Sequence, residues 1–564
     1  MTDETTNPDH GEPEESGTGE RVEQVAVGLK YDGTSRVFDA DGVPHVALVT
    51  DAGRSAFVSG TLQEPVKVRE ALSVLYDVVK SDTRYKPRDR MQYLAYQQAR
   101  NKSAGSNVFQ AQREFFEFMQ LSESVGLLIL DPIVTVHPDE ILFEVFSKDE
   151  STYARLGVDW SAVDTDQEST FGTTNIDFSA DLLDGVQRMR SYRATRLQVG
   201  PEAVALDTHG AGSEVVEKKV DVPATWLRGF LQVQSAATLP LTSCAIAPID
   251  LYNVLRHLRL NADQKKGGRA IRVELMPGER PKLVLEPWEV VVDTTGEIYK
   301  GRVAQVIRIW GRRRLGLLRR LLPMADSVEL HMLGTGLPIF TVLRCGAVTL
   351  TLGLTGFTSS NWSQALNLDT LLPRSTELDA HASEVLAALK DRWFASIDDL
   401  AAVVDMGRAE LRRALQACCQ NGQVMFDLAR EVYRYRPVVS GELDLDALVF
   451  RNPRERLAHD LIAGKGGEVV LESENRLPGV GVQYVGAVTV DADRREYRCE
   501  MTIDDEGRTK RVDDTSPFFR KHQLKEGPSA PLIALRLKIA ELQRARAASR
   551  GQGTIAHETR TYVK

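Results

Sequence analysis

Short alternating runs and longer amphipathic stretches follow one another along the chain, and together they predict an α+β protein of several domains. Between 25 and 60, apolar and polar residues alternate in runs such as HVALVT, separated by Gly-containing turns, which is typical of antiparallel strands. From 64 to 121, apolar residues recur every three or four positions and predict three helices, at 64–81, 87–102 and 107–121. The segment 125–233 is rich in strand patterns, whereas 236–372 mixes strands with helices.

The segment 373–438 carries the clearest succession of elements. A first helical pattern is followed by Ser396, which with Asp399 has the spacing of a helix N-cap, and a third helix is predicted from Gly407 to Asn421. The sequence QVMFDLAREVYRYRP then alternates like two strands of a hairpin. Three helices followed by a hairpin are typical of a winged helix-turn-helix. The residues of the third helix that should face the core are Leu411, Leu415 and Cys418.

The opposite face of that third helix carries the candidate nucleic-acid-binding residues, which are Arg408, Arg412, Arg413 and Gln416. A recognition helix enters the major groove, where arginine binds guanine edges or phosphates. Winged helices also serve as protein-binding or structural units, and Glu410, Asp427 and Glu431 dilute the positive charge here. The sequence therefore leaves both uses open.

A second basic segment lies between 298 and 325, which contains seven arginines and Lys300 but no acidic residue. We predict one helix from Gly301 to Leu322. On this helix Arg308, Arg312 and Arg319 would share one stripe, opposite an apolar face. Such a stripe would bind phosphates or an acidic partner protein, or else pair with carboxylates of the chain itself.

Near the C-terminus, the segment 495–536 predicts a strand from Tyr497 to Ile503, a turn at Asp505–Gly507 and a second strand. An aromatic and basic knuckle, FFRKH, follows, and then a helix opens at Gly527-Pro528. This order resembles the SWIM zinc-finger module of bacterial SWIM-domain proteins, which has a Cys-x-Cys pair, a Phe-Arg-Lys-His knuckle and a Gly-Pro-Cys-x-His helix start. The motifs DESTYARL, GTTNIDFS and TLGLTGF are also similar to that family, so the resemblance covers most of the chain.

The zinc ligands of the family are missing. Their positions fall on Asp514, Ser516, Ser529 and Pro531, of which Asp514 alone is able to bind zinc. A structural zinc site needs four ligands, and a site built from Cys499, Asp514 and His522 lacks the spacing of the motif. We therefore expect no metal and no cofactor, and a SWIM-like ββα module that is docked on its neighbours because no ion supplies folding free energy.

The resemblance also implies a role. SWIM-family proteins of this kind are often encoded with a MoxR-type AAA+ ATPase and a von Willebrand factor A-domain (VWA) protein. This implies a non-enzymatic adaptor that recognises a protein or nucleic-acid target for an ATP-driven machine. The alternative is a DNA-binding regulator that acts through the winged helix. The sequence contains no P-loop, dinucleotide fingerprint, nucleophile elbow or HExxH motif, which also favours a non-enzymatic function.

One local cluster has two interpretations. His137, Asp139 and Glu140 lie close together and would suit a metal or acid–base site. Pro138 among them favours the simpler interpretation, a turn between two strands.

The net charge of −9 argues against bulk attraction to nucleic acid or to an anionic membrane. Five scattered cysteines suit a reducing cytoplasm, and no stretch approaches the ~18 apolar residues of a membrane span. We therefore expect a cytoplasmic protein with no membrane partner. The predicted units are a disordered acidic tail at 1–24, strands with a helical unit at 25–122, a β-rich domain at 123–235, a mixed α/β domain at 236–372, the winged helix at 373–438, and the SWIM-like domain with its C-terminal helix at 439–564.

Overall fold

The structure is a computed structural model that describes residues 36–40, 43–49, 56–83, 132–176, 178, 180–200, 224–261, 270–357, 360–363, 367–372, 380–438 and 453–558. The predicted acidic tail and the predicted helices at 87–102 and 107–121 lie outside these ranges. None of the helices in the described ranges combines the length and the apolar character that crossing a bilayer requires.

The strands of the described chain, in order, are β1 Arg36–Ala40, β2 Val43–Val49, β3 Val58–Leu62, β4 Ile133–Val136, β5 Glu140–Phe146, β6 Thr152–Asp159, β7 Val163–Thr165, β8 Gly172–Asn175, β9 Thr195–Gly200, β10 Thr242–Ile246, β11 Ile271–Leu275, β12 Lys282–Leu285, β13 Val290–Asp293, β14 Gln305–Ile309, β15 Ser327–Met332, β16 Ile339–Cys345, β17 Val348–Leu354, β18 Phe394–Ala395, β19 Val424–Asp427, β20 Val432–Tyr435, β21 Gly467–Leu477, β22 Gly481–Val490, β23 Arg495–Ile503 and β24 Thr509–Asp514. The helices are α1 Pro65–Lys80, α2 Ala180–Val186, α3 Ala224–Thr238, α4 Pro248–Leu260, α5 Arg312–Leu315, α6 Ala380–Arg392, α7 Ile397–Ala401, α8 Arg408–Gln420, α9 Pro453–Ile462, α10 Pro517–His522 and α11 Ala530–Glu558.

An antiparallel sheet of eight strands is the centre of the molecule, in the order β10-β15-β16-β17-β6-β5-β4-β8. It joins strands from 123–235 with strands from 236–372. One face is apolar, because register places Leu343, Leu350, Leu156 and Phe143 in one row across four strands. These residues belong to the largest buried cluster, together with α1 and α4. The sheet therefore buries its apolar face against helices, as period-two alternation requires.

The opposite face of the same sheet is polar at its centre. Glu144 and Arg155 are direct cross-strand partners there, and Arg155 faces Thr351 on the next strand. All three side chains are buried. Buried charges of this kind need partners, which come from elements that cover this face.

The elements over 380–435 follow the predicted order of three helices and a hairpin, and β18 joins the hairpin as a third strand. Ser396 caps α7 through Asp399, and α8 ends before Asn421. The residues of α8 predicted to face the core are fully buried; they are Leu411, Leu415 and Cys418. The local sequence signals for these elements are thus confirmed.

The last two strands of the C-terminal sheet, β21-β22-β23-β24, follow their predicted pattern, with Gly507 at a φ of 80° in the turn between β23 and β24. Its inner face does not have a separate core. Leu532 and Leu535 of α11 belong to one buried cluster with Trp226 and Phe340, which lie in α3 and β16. The C-terminal unit is therefore packed onto its neighbours.

The prediction of one basic helix over Gly301–Leu322 is wrong. The first half is strand β14, which pairs with β11 and places Arg308 opposite Arg272. The chain then passes Gly311, whose φ of 106° is costly for other residues, before the short helix α5 begins.

The stripe expected on that helix is therefore absent, because Arg308, Arg312 and Arg319 lie on a strand, a short helix and a 3-10 turn. The physical reason is that Ile307 and Ile309, two positions apart in β14, are both buried on one side of the strand. Strand β11 supplies the hydrogen-bond partners for the backbone of β14.

Candidate functional sites: a buried ion cluster and an open cleft

The buried ion cluster joins the β19–β20 hairpin to the polar face of the central sheet. Asp427 of the hairpin is 0% exposed, and its Oδ2 lies 2.6 Å from Arg155 Nη2 and 2.9 Å from Arg434 Nε. Glu140 of β5 is the second buried carboxylate, and it pairs with both Arg155 and Arg434. The hairpin and the sheet therefore each contribute one carboxylate and one guanidinium group, and each carboxylate pairs with both guanidinium groups.

A ring of further ion pairs surrounds this centre. Asp139 accepts two hydrogen bonds from Arg434, at 2.8 and 2.9 Å, in a bidentate pair. Arg430 reaches Asp159 at 2.8 Å, and Arg436 Nε lies 3.2 Å from Glu144 Oε2. The Arg436 guanidinium also lies 4.7 Å from the centre of the Phe230 ring, a cation–π contact with α3.

A glycine makes room for the centre of the cluster. A Cβ at Gly157 of β6 would lie 2.2 Å from Glu140 Oε2 and 3.3 Å from Arg155 Nη1. Any side chain at this position would displace the carboxylate from its arginines.

The carboxylates of the cluster respond differently to burial. Burial would raise the pKa of Asp427, but the charges of Arg155 and Arg434 outweigh it and hold that pKa below its ordinary value. Burial raises the pKa of Glu140, and the same two arginines offset this only in part. Asp427 is thus the firmly ionised member of the pair.

His137 lies beside the cluster and remains neutral. It is fully buried, its ring meets Trp393 edge-on at 5.6 Å, and neither ring nitrogen has a hydrogen-bond partner among the described residues. Burial lowers its pKa well below 6.5, and the charges of Arg434 and Arg155 lower it further. The sequence cluster of His137, Asp139 and Glu140 is therefore a turn whose carboxylates bind arginine, as the simpler interpretation predicted.

We predict that His137 makes folding stability fall as the pH is lowered. Below pH 6.5 the unfolded chain protonates this histidine while the folded chain does not, so the folded state is disfavoured. The loss should be on the order of 1 kcal/mol at one pH unit below that value. Urea denaturation of wild type and His137→Phe at pH 7.5 and 5.5 measures it. Equal pH dependence in the two proteins would contradict a neutral buried His137.

The arginines at the centre of this cluster were not among the sequence candidates. Arg155 stands at a buried position of β6, and Arg434 of β20 alternates in YRYR with Arg436 directly after the strand, so both point to the same side. Arginine at every second position of a buried strand is the signal that could have found them.

The predicted nucleic-acid-binding residues lie along α8, but most of them have partners within the chain. Arg408 pairs with Asp398, and Arg412 Nη2 lies 2.8 Å from Glu506 Oε2 in the turn between β23 and β24. Gln416 is only 5% exposed, and Thr238 of α3 donates to its Oε1 at 3.0 Å. The prediction that Gln416 faces outward is therefore wrong, because α3 covers that part of α8.

Two residues of the predicted basic stripe are also engaged. Arg308 Nε lies 2.9 Å from Glu286 Oε1, and Arg312 Nη1 lies 3.5 Å from the Leu258 carbonyl oxygen. Arg319 is exposed and forms no ion pair with a residue of the described ranges. The structure thus does not bring these three arginines together on one surface.

Asp514 occupies the place at which the SWIM resemblance puts zinc ligands, and it is the centre of a hydrogen-bond cluster. It is 4% exposed, and its carboxylate accepts from the Ser516 hydroxyl at 2.6 Å and from the Ser529 hydroxyl at 2.5 Å. The Ser516 N–H donates at 2.8 Å and the Cys499 thiol at 3.7 Å. Burial, and then the charge of Asp514, raise the pKa of the Cys499 thiol, which keeps it protonated as a donor.

This cluster links β23, β24 and the start of α11 through hydrogen bonds. A structural metal ion with ligands on the same three elements would link them in the same way. Within the described ranges no group of three or more His, Cys, Asp or Glu side chains is arranged to hold a metal ion.

A cleft of about 480 Å³ lies directly beside this cluster, where α9 meets the starts of α10 and α11. Its walls are mostly apolar, with Leu457, Val490 and Phe518 among them, and Arg454, Asp493 and Arg495 add charge. Both Ser516 and Ser529 also border it. This is the size of cleft in which small ligands or single side chains are bound, typically about 300–1,000 Å³.

A Ser–His–Glu arrangement occurs on the central sheet. Ser243 Oγ lies 2.8 Å from His331 Nδ1, and His331 Nε2 lies 3.3 Å from Glu329 Oε2. Contact with His331 and the Arg344 guanidinium lower the pKa of Glu329 to about 2. Ser243 and His331 are direct cross-strand partners in β10 and β15, so their contact follows from register. We therefore interpret this arrangement as a cross-strand polar contact on one face of the sheet.

No family model matches the chain, and no curated protein matches it. Among solved structures, it is similar to the proliferating cellular nuclear antigen from Entamoeba histolytica, with a TM-score of 0.29 and 9% sequence identity. The similarity covers 53% of this chain and 98% of that one. A TM-score of this size gives no basis for assigning fold or function.

Proposed function

We propose that the chain is a non-enzymatic adaptor in which the winged-helix unit over 380–438 is an internal support. The observation that carries this proposal is that both surfaces with which such a unit contacts DNA are occupied within the chain. On α8, Arg412 binds Glu506 and Gln416 is covered by α3. The hairpin is held through Asp427 and Arg434 in the buried ion cluster.

Opening either surface would be costly. A hairpin that moved into a DNA groove would take Asp427 away from Arg155 and Arg434 away from Glu140, and breaking buried ion pairs costs several kcal/mol. Rim positions of α8 remain exposed, Arg408 and Arg413 among them, but two arginines on a chain of net charge −9 supply little attraction for a phosphate backbone.

The adaptor role includes the partners that the SWIM resemblance implies, a MoxR-type AAA+ ATPase and a VWA-domain protein. A patch suited to an acidic partner surface remains near α5, where Arg313 and Arg319 are exposed and form no ion pair within the described ranges. Arg308 contributes less to such a patch because Glu286 already neutralises it. We propose Arg319 as the main partner-binding residue of the three arginines singled out in the sequence.

We predict that the purified protein does not bind duplex DNA in a salt-dependent manner. Neutralising phosphates releases counterions, so specific or non-specific binding through α8 would weaken steeply between 50 and 200 mM salt, roughly 10³-fold or more for six contacts. Fluorescence anisotropy with a labelled duplex across that range is the measurement. The test variant carries both Arg408→Ala and Arg413→Ala. Arg319→Ala is the control away from α8.

The contrary result is equally clear. Duplex binding that falls with salt and disappears in the α8 double variant, but not in Arg319→Ala, would establish the regulator instead of the adaptor.

A further inference from the structure

The cleft between α9, α10 and α11 has a wall that is both flat and positively charged. The Arg454 guanidinium lies 4.4 Å from the centre of the Phe518 ring. Its Nη1 donates to the Pro528 carbonyl at 3.0 Å and its Nη2 to the Glu526 carbonyl at 2.8 Å. Two hydrogen bonds and a stacked ring fix this side chain, so the wall is formed before any ligand arrives.

The rim of the cleft carries a second arginine, which differs from Arg454 in being exposed. Arg495, at the start of β23, is exposed and forms no ion pair with any residue in the described part of the chain. It points to the same side of its strand as Tyr497, which also lines the cleft. The Tyr497 hydroxyl donates to Asp493 Oδ2 at 2.8 Å, so Asp493 already has a partner.

We propose that this cleft binds an extended peptide segment of a partner protein, in which an aromatic side chain is flanked by aspartate or glutamate. The aromatic side chain enters between Leu457 and the stacked Phe518, and the acidic neighbour pairs with Arg495 on the rim. This rests on the proposed adaptor function and names the chemistry of its target.

Three observations favour this occupant. The volume of about 480 Å³ admits one large side chain with its backbone, not a folded surface. The mostly apolar wall with a fixed guanidinium favours an aromatic ring, which gains both buried area and a cation–π contact. The unpaired Arg495 favours a single carboxylate, whereas Asp493, which also borders the cleft, disfavours a phosphate chain with its several negative charges.

The test is selection of a phage-displayed library of random heptapeptides on the immobilised full-length chain. Wild type should enrich peptides with an aromatic residue beside Asp or Glu. Arg495→Glu should lose that acidic preference, and Leu457→Trp, which fills the cleft, should lose enrichment altogether. Arg188→Glu, at an exposed arginine that does not border the cleft, is the matched charge reversal and should leave the selection unchanged.

A labelled copy of the most enriched peptide then measures affinity by fluorescence anisotropy. Arg495→Glu should weaken binding about tenfold or more, and exchange of the acidic residues of the peptide for lysine should do the same to wild type. Each variant is first checked for an unchanged melting temperature. No enrichment, enrichment that both cleft variants retain, or displacement of the peptide by a single-stranded deoxythymidine oligonucleotide would overturn the proposal. The adaptor function itself is decided separately, by the duplex-binding experiment.

Discussion

Replacement of Asp427 by Ala is expected to lower the free energy of unfolding by about 3–5 kcal/mol, the usual cost of removing one partner from a buried ion pair. The reason lies in the cluster beneath the hairpin. Arg155 and Arg434 are both buried, and each has Asp427 within 2.9 Å. Without this carboxylate Arg434 keeps Asp139, but Arg155 is left with Glu140, whose own pKa is raised by burial and which therefore ionises less readily.

The measurement is urea denaturation at pH 7, followed by tryptophan fluorescence. Asp398→Ala is the matched control, because Asp398 pairs with Arg408 at the surface and is largely exposed. Surface pairs contribute about 0–1 kcal/mol, so the control should change little. A loss below 1 kcal/mol for Asp427→Ala would show that the hairpin is not held by its ion pairs.

From the same carboxylate we also predict how the stability of the wild type changes in acid. The pKa of Asp427 is lowered in the folded chain, so its contribution is complete above the ordinary pKa of aspartate and is lost as the pH falls through the lower folded value. Asp427→Ala should therefore lose less stability than wild type below about pH 4.

Replacement of Asp514 by Ala should have the second largest effect, about 3 kcal/mol of unfolding free energy. Hydrogen bonds to a charged group contribute about 1.5–3 kcal/mol each, and their donors lose free energy when left buried and unpaired. The donors here are the hydroxyl groups of Ser516 and Ser529, the Ser516 N–H and the Cys499 thiol, all within the core of the C-terminal unit.

Asp505→Ala provides the control, since Asp505 lies in the neighbouring turn and is mostly exposed in its pair with Arg476. Elemental analysis and a chelator complete the experiment, because a zinc ion at this place would supply folding free energy that a chelator removes. We expect no zinc in the purified protein and an unchanged melting temperature. One zinc per chain, with a fall in melting temperature on chelation, would contradict the hydrogen-bonded cluster.

Elements with strong local signals were predictable. The third helix of the 380–438 unit begins after Gly407 and ends before Asn421, as capping and apolar spacing indicate. The turn before β24 contains Gly507 at a positive φ, which the Asp-Glu-Gly sequence predicts. In each case the residues that decide the structure lie within a few positions of one another.

The segment from Gly301 to Leu322 shows where this reasoning fails. Its apolar residues fit a helical wheel, but they also fit a short strand followed by turns, and periodicity alone does not choose between the two. Strand β11, some thirty positions earlier, supplies the backbone partners that make Gln305–Ile309 a strand. Propensity is a weak preference, and tertiary pairing overrides it.

The sequence by itself determined the order of the helices and strands over 380–435 and 495–536. Only the tertiary structure decided which surfaces are occupied. Arg155 and Asp427 are 272 positions apart, and Gln416 meets Thr238 across 178 positions. Contacts of this kind depend on how the sheet and the helices pack, because a charged residue has the same local sequence pattern whether it faces water or a buried partner.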